Sequence, residues 1–158
     1  MDPQQVAEAY ADALFRLAFS CCHNRADAED VVQDVFVKYL RHRGTFPDEA
    51  SRRSWLMKVT VSICRDLFRA PWRRRCCALE QIAEPAAGMP EENALLEAVM
   101  RLPEKYRAAV HLYYYEDYTA AQIAKILGIS EPAVRMRLMR ARQTLKAELG
   151  GLWNDEES

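Results

Sequence analysis

Glycine is scarce in this chain, with 5 in 158 residues, and no stretch alternates regularly between apolar and polar side chains. Strands with one wet face need that alternation, so its absence predicts an all-α fold. No apolar run approaches the roughly 20 residues a membrane-spanning helix requires, and no signal peptide is visible. These absences predict a cytoplasmic protein without membrane insertion. There is no glycine-rich phosphate loop, no internal repeat and no spacing that pairs a nucleophile with a base, so nothing points to an enzyme or a cofactor.

Cysteine is present but unpaired in number: Cys21-Cys22, Cys64 and Cys76-Cys77 make five. An odd count in a cytosolic chain argues against a disulfide framework. Cys21, Cys22 and His23, completed by Cys76 and Cys77, are candidate metal ligands. The chain lacks a C-x-x-C spacing, however, and small buried thiols are common in helical cores. The reading is therefore no metal site.

Charge is abundant but segregated. The net charge of −1 conceals nine acidic against five basic residues over 1–50, eight basic against one acidic over 51–75, and five acidic with no basic residue over 76–100. Residues 130–148 are basic again. Two basic patches separated by acidic stretches predict two nucleic-acid contacts and a surface for a basic partner.

The most informative stretch is Tyr118 to Leu149, which reads as helix, tight turn, helix. Thr119 can cap the first helix with Gln122 at the capping-box position. Ile123, Ala124 and Leu127 give that helix one apolar face. Gly128 supplies a stop that tolerates positive φ, Ser130 can cap the second helix, and Pro132 is harmless in a first turn. On the second helix Val134, Leu138, Ala141 and Leu145 form a packing stripe. Met136, Met139, Arg140 and Gln143 lie opposite, flanked by Arg135, Arg137, Arg142 and Lys146. A helix packed on one side and arginine-rich on the other suits the DNA major groove, where arginine holds phosphates or reads guanine. A merely solvated charged helix is the bland alternative, disfavoured by the company this one keeps.

Upstream, a first helix over Gln4–Cys22 buries Val6, Tyr10, Leu14, Leu17 and Cys21. A turn at 23–25 leads to a second, DAEDVVQDVFVKYLRHR, with Asp27 as its cap. Ala28, Val32, Val35, Phe36, Tyr39 and Leu40 are read as facing inward, and Asp27, Asp30, Gln33, Asp34 and Lys38 outward. After a loop over Gly44–Ala50, a third helix over Ser51–Arg69 carries a core stripe of Trp55, Leu56, Val59, Ile63 and Leu67. Arg52, Arg53, Lys58, Arg65 and Arg69 line its polar side, and Trp72 to Arg75 extend the charge. Interleaved arginine and aromatic residues can hold phosphates and stack on bases. Residues 76–90, with two prolines and a glycine, read as a linker. Beyond it, Leu95, Leu96, Val99 and Leu102 form one helix, and Pro103 opens another with Tyr106, Ala109, Val110, Leu112 and Tyr113 inward.

These residues resemble a family. DAEDVVQDVF is similar to the D-x-E-D-x-x-Q-E-x-F motif of region 2 of bacterial sigma factors. Phe46 and Trp55-Leu56 have the spacing of their promoter-melting segment, and LPEKYRAAVHLYYYEDYTAAQIAKILGISEPAVRMRLMRAR resembles region 4. The order of motifs, with a short linker and no middle domain, resembles the extracytoplasmic-function (ECF) group of the sigma-70 family from about Ala7 to Leu149. The resemblance implies two small helical domains: region 2 over 1–75, a linker over 76–90, region 4 over 91–151 and a tail over 152–158. It implies that Asp27, Glu29, Asp30, Gln33, Asp34 and Phe36 dock on the β′ clamp helices of core RNA polymerase, and that region 4 rides on the β flap. The loop from Phe46 to Ser54 would capture a flipped −10 base, with Arg52, Arg53, Lys58, Ser62, Arg65 and Arg69 along −10 DNA. Ser130, Arg135, Met136, Met139 and Arg140 would meet the −35 major groove, with Arg137 and Arg142 near phosphates. An anti-sigma factor is the further partner implied. Arg52 stands where the family has an aromatic residue, and Pro132-Ala133 where it has Gly-Thr; both bear on promoter sequence more than on class.

The reading is a promoter-specificity subunit of RNA polymerase, not itself an enzyme. The rival is a stand-alone helix-turn-helix regulator, which leaves the acidic second helix and basic third helix without a task. A cysteine-based metal or redox sensor is a third class.

Overall fold

A computed structural model of the chain describes residues 2–42, 44–69 and 97–150. Every regular element among them is helical. We number these α1 (Pro3–Cys22), α2 (Arg25–Arg41), α3 (Glu49–Arg69), α4 (Glu104–Val110), α5 (Ala120–Leu127) and α6 (Glu131–Leu149). Residues 97–101 are also helical, and a π segment, His111–Tyr115, continues α4. The expected linker over 76–90, Cys76, Cys77, Leu95, Leu96 and Trp72 to Arg75 lie outside the described residues.

In the first unit α1, α2 and α3 pack on one another. Helix α1 starts at a capping box that the sequence reading did not identify: Asp2 accepts from the Gln5 amide while Gln5 returns a bond to the Asp2 amide. It ends where His23 adopts a left-handed conformation, φ 64°. Its buried face is Val6, Leu14, Leu17, Ala18, Cys21 and Cys22, with Tyr10 half-buried. Helix α2 begins two residues before the expected Asp27. Asn24 is the cap, accepting from the Asp27 amide at 3.0 Å. Asp27 instead lies in the first turn and is buried, so it is neither the cap nor part of the outward face. Leu40, read as inward, is 65% exposed. The loop is also shorter than expected, because the Asp48 carboxylate accepts from the Ser51 amide at 2.7 Å and starts α3 at Glu49.

Helix α3 is buried on more than its expected stripe. Met57, Thr60, Val61 and Cys64 are enclosed along with Leu56 and Ile63. The cause is its position: it packs against α1 and α2 on one side and against α5 of the second unit on the other. Thr60 satisfies its hydroxyl by donating to the Leu56 carbonyl at 2.8 Å.

The second unit is built around α6, whose Val134, Leu138, Ala141 and Leu145 are buried as the stripe predicts. Thr119 and Gln122 form the expected capping box, Gly128 ends α5 at φ 69°, and the Ser130 hydroxyl accepts from the Ala133 amide at 3.2 Å. A side chain at Gly128 would be strained by that positive φ rather than by crowding, since nothing lies near its Cβ position. The π segment was not anticipated. At its end the Glu116 amide donates to the His111 carbonyl five residues back, and beyond it the Tyr118 amide donates to the Leu112 carbonyl. Glu116 and Tyr118 are both buried there.

Candidate nucleic-acid and protein interfaces

Helix α2 presents one outward face to solvent. Asp30, Gln33 and Asp34 are exposed at i, i+3 and i+4, with Glu29 beside them in an ion pair to Arg25. Val37 and Leu40, 43% and 65% exposed, continue the same face at i+7 from Asp30 and Gln33. The face is therefore acidic at its start and apolar at its end. Phe36 is half-buried against the core rather than displayed. A carboxylate patch bordered by exposed aliphatic side chains fits a basic, partly apolar protein surface.

The loop before α3 is closed by an aromatic cluster. Phe46 stacks near-parallel on Tyr39, with centroids 6.3 Å apart, and lies 5.0 Å from the His42 ring. Trp55 meets Tyr39, His42 and Phe46 at 6.1, 4.8 and 5.8 Å. The Arg52 guanidinium covers Phe46 at 5.5 Å and pairs with Glu49. Phe46 and Arg52 are thus half-buried parts of one stacked cluster, and His42 joins it unannounced by the sequence. Rings held at stacking distance offer a π surface on which an unstacked base can lie.

Along α3, Lys58, Ser62 and Arg69 are exposed and Arg65 is half-buried. At i, i+4, i+7 and i+11 they share one face, a basic stripe suited to a phosphate backbone. Two of the expected DNA residues on this helix are bonded to the second unit. Arg53 donates to the Glu116 carboxylate at 2.6 Å and lies over the Tyr118 ring. Arg65 donates to the Leu127 carbonyl at the end of α5, at 3.0 Å.

On α6, Arg135, Met136, Met139 and Arg140 are exposed and Arg137 and Arg142 half-buried, in the arrangement the spacing predicts. Arg135 pairs with Glu131 one turn back. A hydrogen bond from Arg140 is the main reason the Tyr106 hydroxyl is held below its ordinary pKa. Arg142 donates to the Tyr114 hydroxyl at 3.3 Å. Ser130 is occupied as the helix cap. The outward pole combines two thioethers, apolar surface for a thymine methyl, with guanidinium groups on either side.

Between the two units lies a polar seam that sequence reasoning missed. The buried Arg107 donates to the carbonyls of Ser20, Met100, Leu102 and Cys21 at 2.6 to 3.2 Å. His111 bridges the Ser20 hydroxyl and Glu116 at 2.9 and 3.2 Å. Arg16 approaches the same carboxylate at 3.8 Å. Burial pushes the Glu116 carboxyl up, but the His111 hydrogen bond and the charges of His111, Arg53 and Arg16 outweigh it and hold the group below its usual range. No sequence signal distinguishes Arg107 or Glu116 from solvated charges; the run of tyrosines around them conceals the seam.

The cysteines described, Cys21, Cys22 and Cys64, are buried free thiols, with Cys22 and Cys64 sulfurs 3.6 Å apart. Among the described residues, no group of three His, Cys, Asp or Glu side chains is arranged to hold a metal ion. No helix among them is long and apolar enough to cross a membrane.

An acidic-faced helix, a basic helix beside a ring cluster and a capped helix-turn-helix together define an all-helical protein of the DNA-binding class. Comparison with known proteins narrows this. Residues 6–74 match "Sigma-70 region 2" and residues 92–145 match "Sigma-70, region 4". The chain is 34% identical over 142 residues to the ECF RNA polymerase sigma factor SigM of Mycobacterium tuberculosis, covering 88% of this chain and 72% of that one. It is 31% identical over 138 residues to the RNA polymerase sigma factor SigV of Bacillus subtilis, covering 85% and 83%. Its fold is that of the sigma factor RpoE solved in complex with the anti-sigma factor NepR from Bartonella quintana, with a TM-score of 0.73, 21% identity, and coverage of 94% and 96%. The chain belongs to the sigma-70 family as an ECF-type member, and its function is that of an RNA polymerase sigma factor.

Proposed function

We propose that residues 1–75 dock on core RNA polymerase and engage the −10 element, and that residues 91–151, joined through 76–90, bind the −35 element. The protein acts by binding, in the cytoplasm, without a catalytic step, metal or cofactor of its own. Asp30, Gln33 and Asp34, with Glu29, meet the β′ clamp helices, and the second unit rides on the β flap. Lys58, Ser62 and Arg69 follow −10 DNA, with Arg53 and Arg65 joining once their contacts to the second unit are released. The Phe46 loop and its stacked rings receive an unstacked base, which offsets the few kcal/mol that flipping costs. Arg135, Met136, Met139 and Arg140 read the −35 major groove, and Arg137 and Arg142 hold phosphates. Asp27 and Ser130 act differently from the rest: one is buried in α2 and the other caps α6. An anti-sigma factor is the regulatory partner, a reading supported by the complex in which the structurally similar RpoE was solved.

The observation that carries this reading is the pairing, in one chain, of the exposed acidic α2 face with the exposed arginine-methionine pole of α6. A stand-alone regulator uses only the second. Run-off transcription with core polymerase and a promoter library tests it. Defined transcripts that require both core polymerase and this protein are expected; tight duplex binding without any core-dependent transcript would overturn it.

A further inference from the structure

Two tyrosines stand beside α6, outside both its packing stripe and its outward pole, and each holds one of its arginines. Tyr106 lies in α4, which packs on α6, and Tyr114 lies in the π segment. Both rings are half-buried against the core, so the packing of the ring fixes the place of each hydroxyl. The Tyr113 ring meets that of Tyr114 edge-on, with centroids 4.9 Å apart. The Lys105 ammonium lies over the Tyr106 ring, 5.2 Å from its centroid. Arg142 donates to the Tyr114 hydroxyl at 3.3 Å. Arg140 bonds to the Tyr106 hydroxyl, with Lys105 and Arg137 near enough to add their charge.

The two contacts fall on opposite flanks of α6. Measured from the buried stripe of Val134, Leu138, Ala141 and Leu145, Arg140 lies about 130° round one way and Arg142 about 70° round the other. The exposed Met136 and Met139 lie between them. An arginine side chain has several rotating bonds, and fixing them on binding costs affinity. A guanidinium that is already aimed loses less, because its planar fork reads guanine or clasps a phosphate in a defined orientation. A phenol oxygen aims it without competing for it: it accepts one N–H and leaves the rest of the fork for DNA. A carboxylate in that place would also cancel the charge that phosphate binding needs, which a neutral hydroxyl does not.

We propose that Tyr106 and Tyr114 are positioning residues for −35 recognition, each holding one guanidinium of α6 in the orientation that meets DNA: Arg140 for a base edge on one flank, Arg142 for a phosphate on the other. This rests on the assignment of α6 to the −35 element made above. The π segment then has a part in recognition, since it carries Tyr114 and its register decides where that hydroxyl stands.

The test is a −35 mutational scan of binding by holoenzyme, formed from core polymerase and the full-length chain. Tyr106→Phe and Tyr114→Phe keep the rings and their packing and remove only the hydroxyls. Tyr106→Phe is expected to reduce the preference at the one −35 position that Arg140→Ala relaxes, by about two- to tenfold, the cost of ordering one side chain, with the other positions unchanged. Tyr114→Phe is expected to weaken all −35 sequences alike by a similar factor. In double-mutant cycles each loss is expected to vanish once the partner arginine is alanine, since a residue that acts through another then has nothing to act on. Wild-type scans for both Phe variants would overturn the proposal. So would losses that add in full to those of the arginine variants, which is what a purely structural role gives. A loss at one tyrosine alone overturns the assignment of the other. If Arg140→Ala and Arg142→Ala themselves bind every −35 sequence as wild type does, the assignment of α6 fails, and the positioning role falls with it.

Discussion

Each arginine of α6 has a different local partner, and the partner decides what its loss should do. Arg140 stands on the outward pole with its guanidinium beside the Tyr106 hydroxyl, while Arg142 lies further round, bonded to Tyr114 and half-buried. A side chain on the pole reaches base edges; one towards the packed face reaches the backbone. Arg140→Ala is expected to cost about 1–3 kcal/mol and relax preference at one −35 position. Arg142→Ala is expected to weaken all −35 sequences alike and to reduce the salt slope by about one. A −35 mutational scan of holoenzyme binding at several salt concentrations checks both, and equal losses independent of sequence would mean that a different face reads the bases. The α6 face was legible because four buried residues at helical spacing fix the rotation of the whole helix. Leu40 was misread although the same arithmetic was available: it lies seven residues, nearly two turns, from the outward Gln33. Asp27 was misread because Asn24, three residues earlier, satisfied the same helix start.

At the scale of an element, α2 is a helix whose outward face changes character along its length. Its charged start suits the positive end of the helix dipole as well as a partner, so charge alone does not reveal a docking role. The exposed Val37 and Leu40 add what the dipole does not require, since aliphatic surface gains nothing from water. Asp30→Arg and Leu40→Ala are each expected to weaken association with core polymerase while changing stability by no more than about 0.5 kcal/mol, as exposed positions usually do. Sedimentation or fluorescence titration with core polymerase measures the first effect and thermal melting the second. Wild-type affinity in both variants would move the docking surface elsewhere. The helix-turn-helix was legible as an element because its caps and its glycine are local signals, each satisfied by a residue within four positions. The π segment was not, because its register is fixed by bonds that bring Glu116 and Tyr118 into the seam, and no local pattern encodes those partners.

At the scale of the molecule, the two helical units are legible in composition, and the seam between them is not. Arg107 looks like any helix arginine, yet its buried guanidinium satisfies four main-chain carbonyls, two of them at the end of α1. Replacing it with methionine would leave those oxygens without donors. Hydrogen bonds to a charged group contribute about 1.5–3 kcal/mol, so Arg107→Met is expected to lose about 3 kcal/mol or more. For a chain of this size that corresponds to a midpoint lower by roughly 6–12 °C, read by calorimetry. Glu116 gives the seam its pH dependence. Facing it are Arg16 from α1, Arg53 from α3 and His111 from the π segment, and together they hold its carboxyl below the ordinary range despite burial. A carboxyl whose pKa is lowered by folding contributes stability above its unfolded value, about 4.3 for glutamate, and loses it as pH falls through the lower folded value. Wild type is therefore expected to be more stable than Glu116→Gln at pH 7, with the difference constant down to about pH 5 and closing below about pH 4. Melting curves of the two proteins across that range measure it. A gap that persists unchanged into acid would mean that the seam holds by shape and neutral hydrogen bonds, with the Glu116 charge contributing nothing.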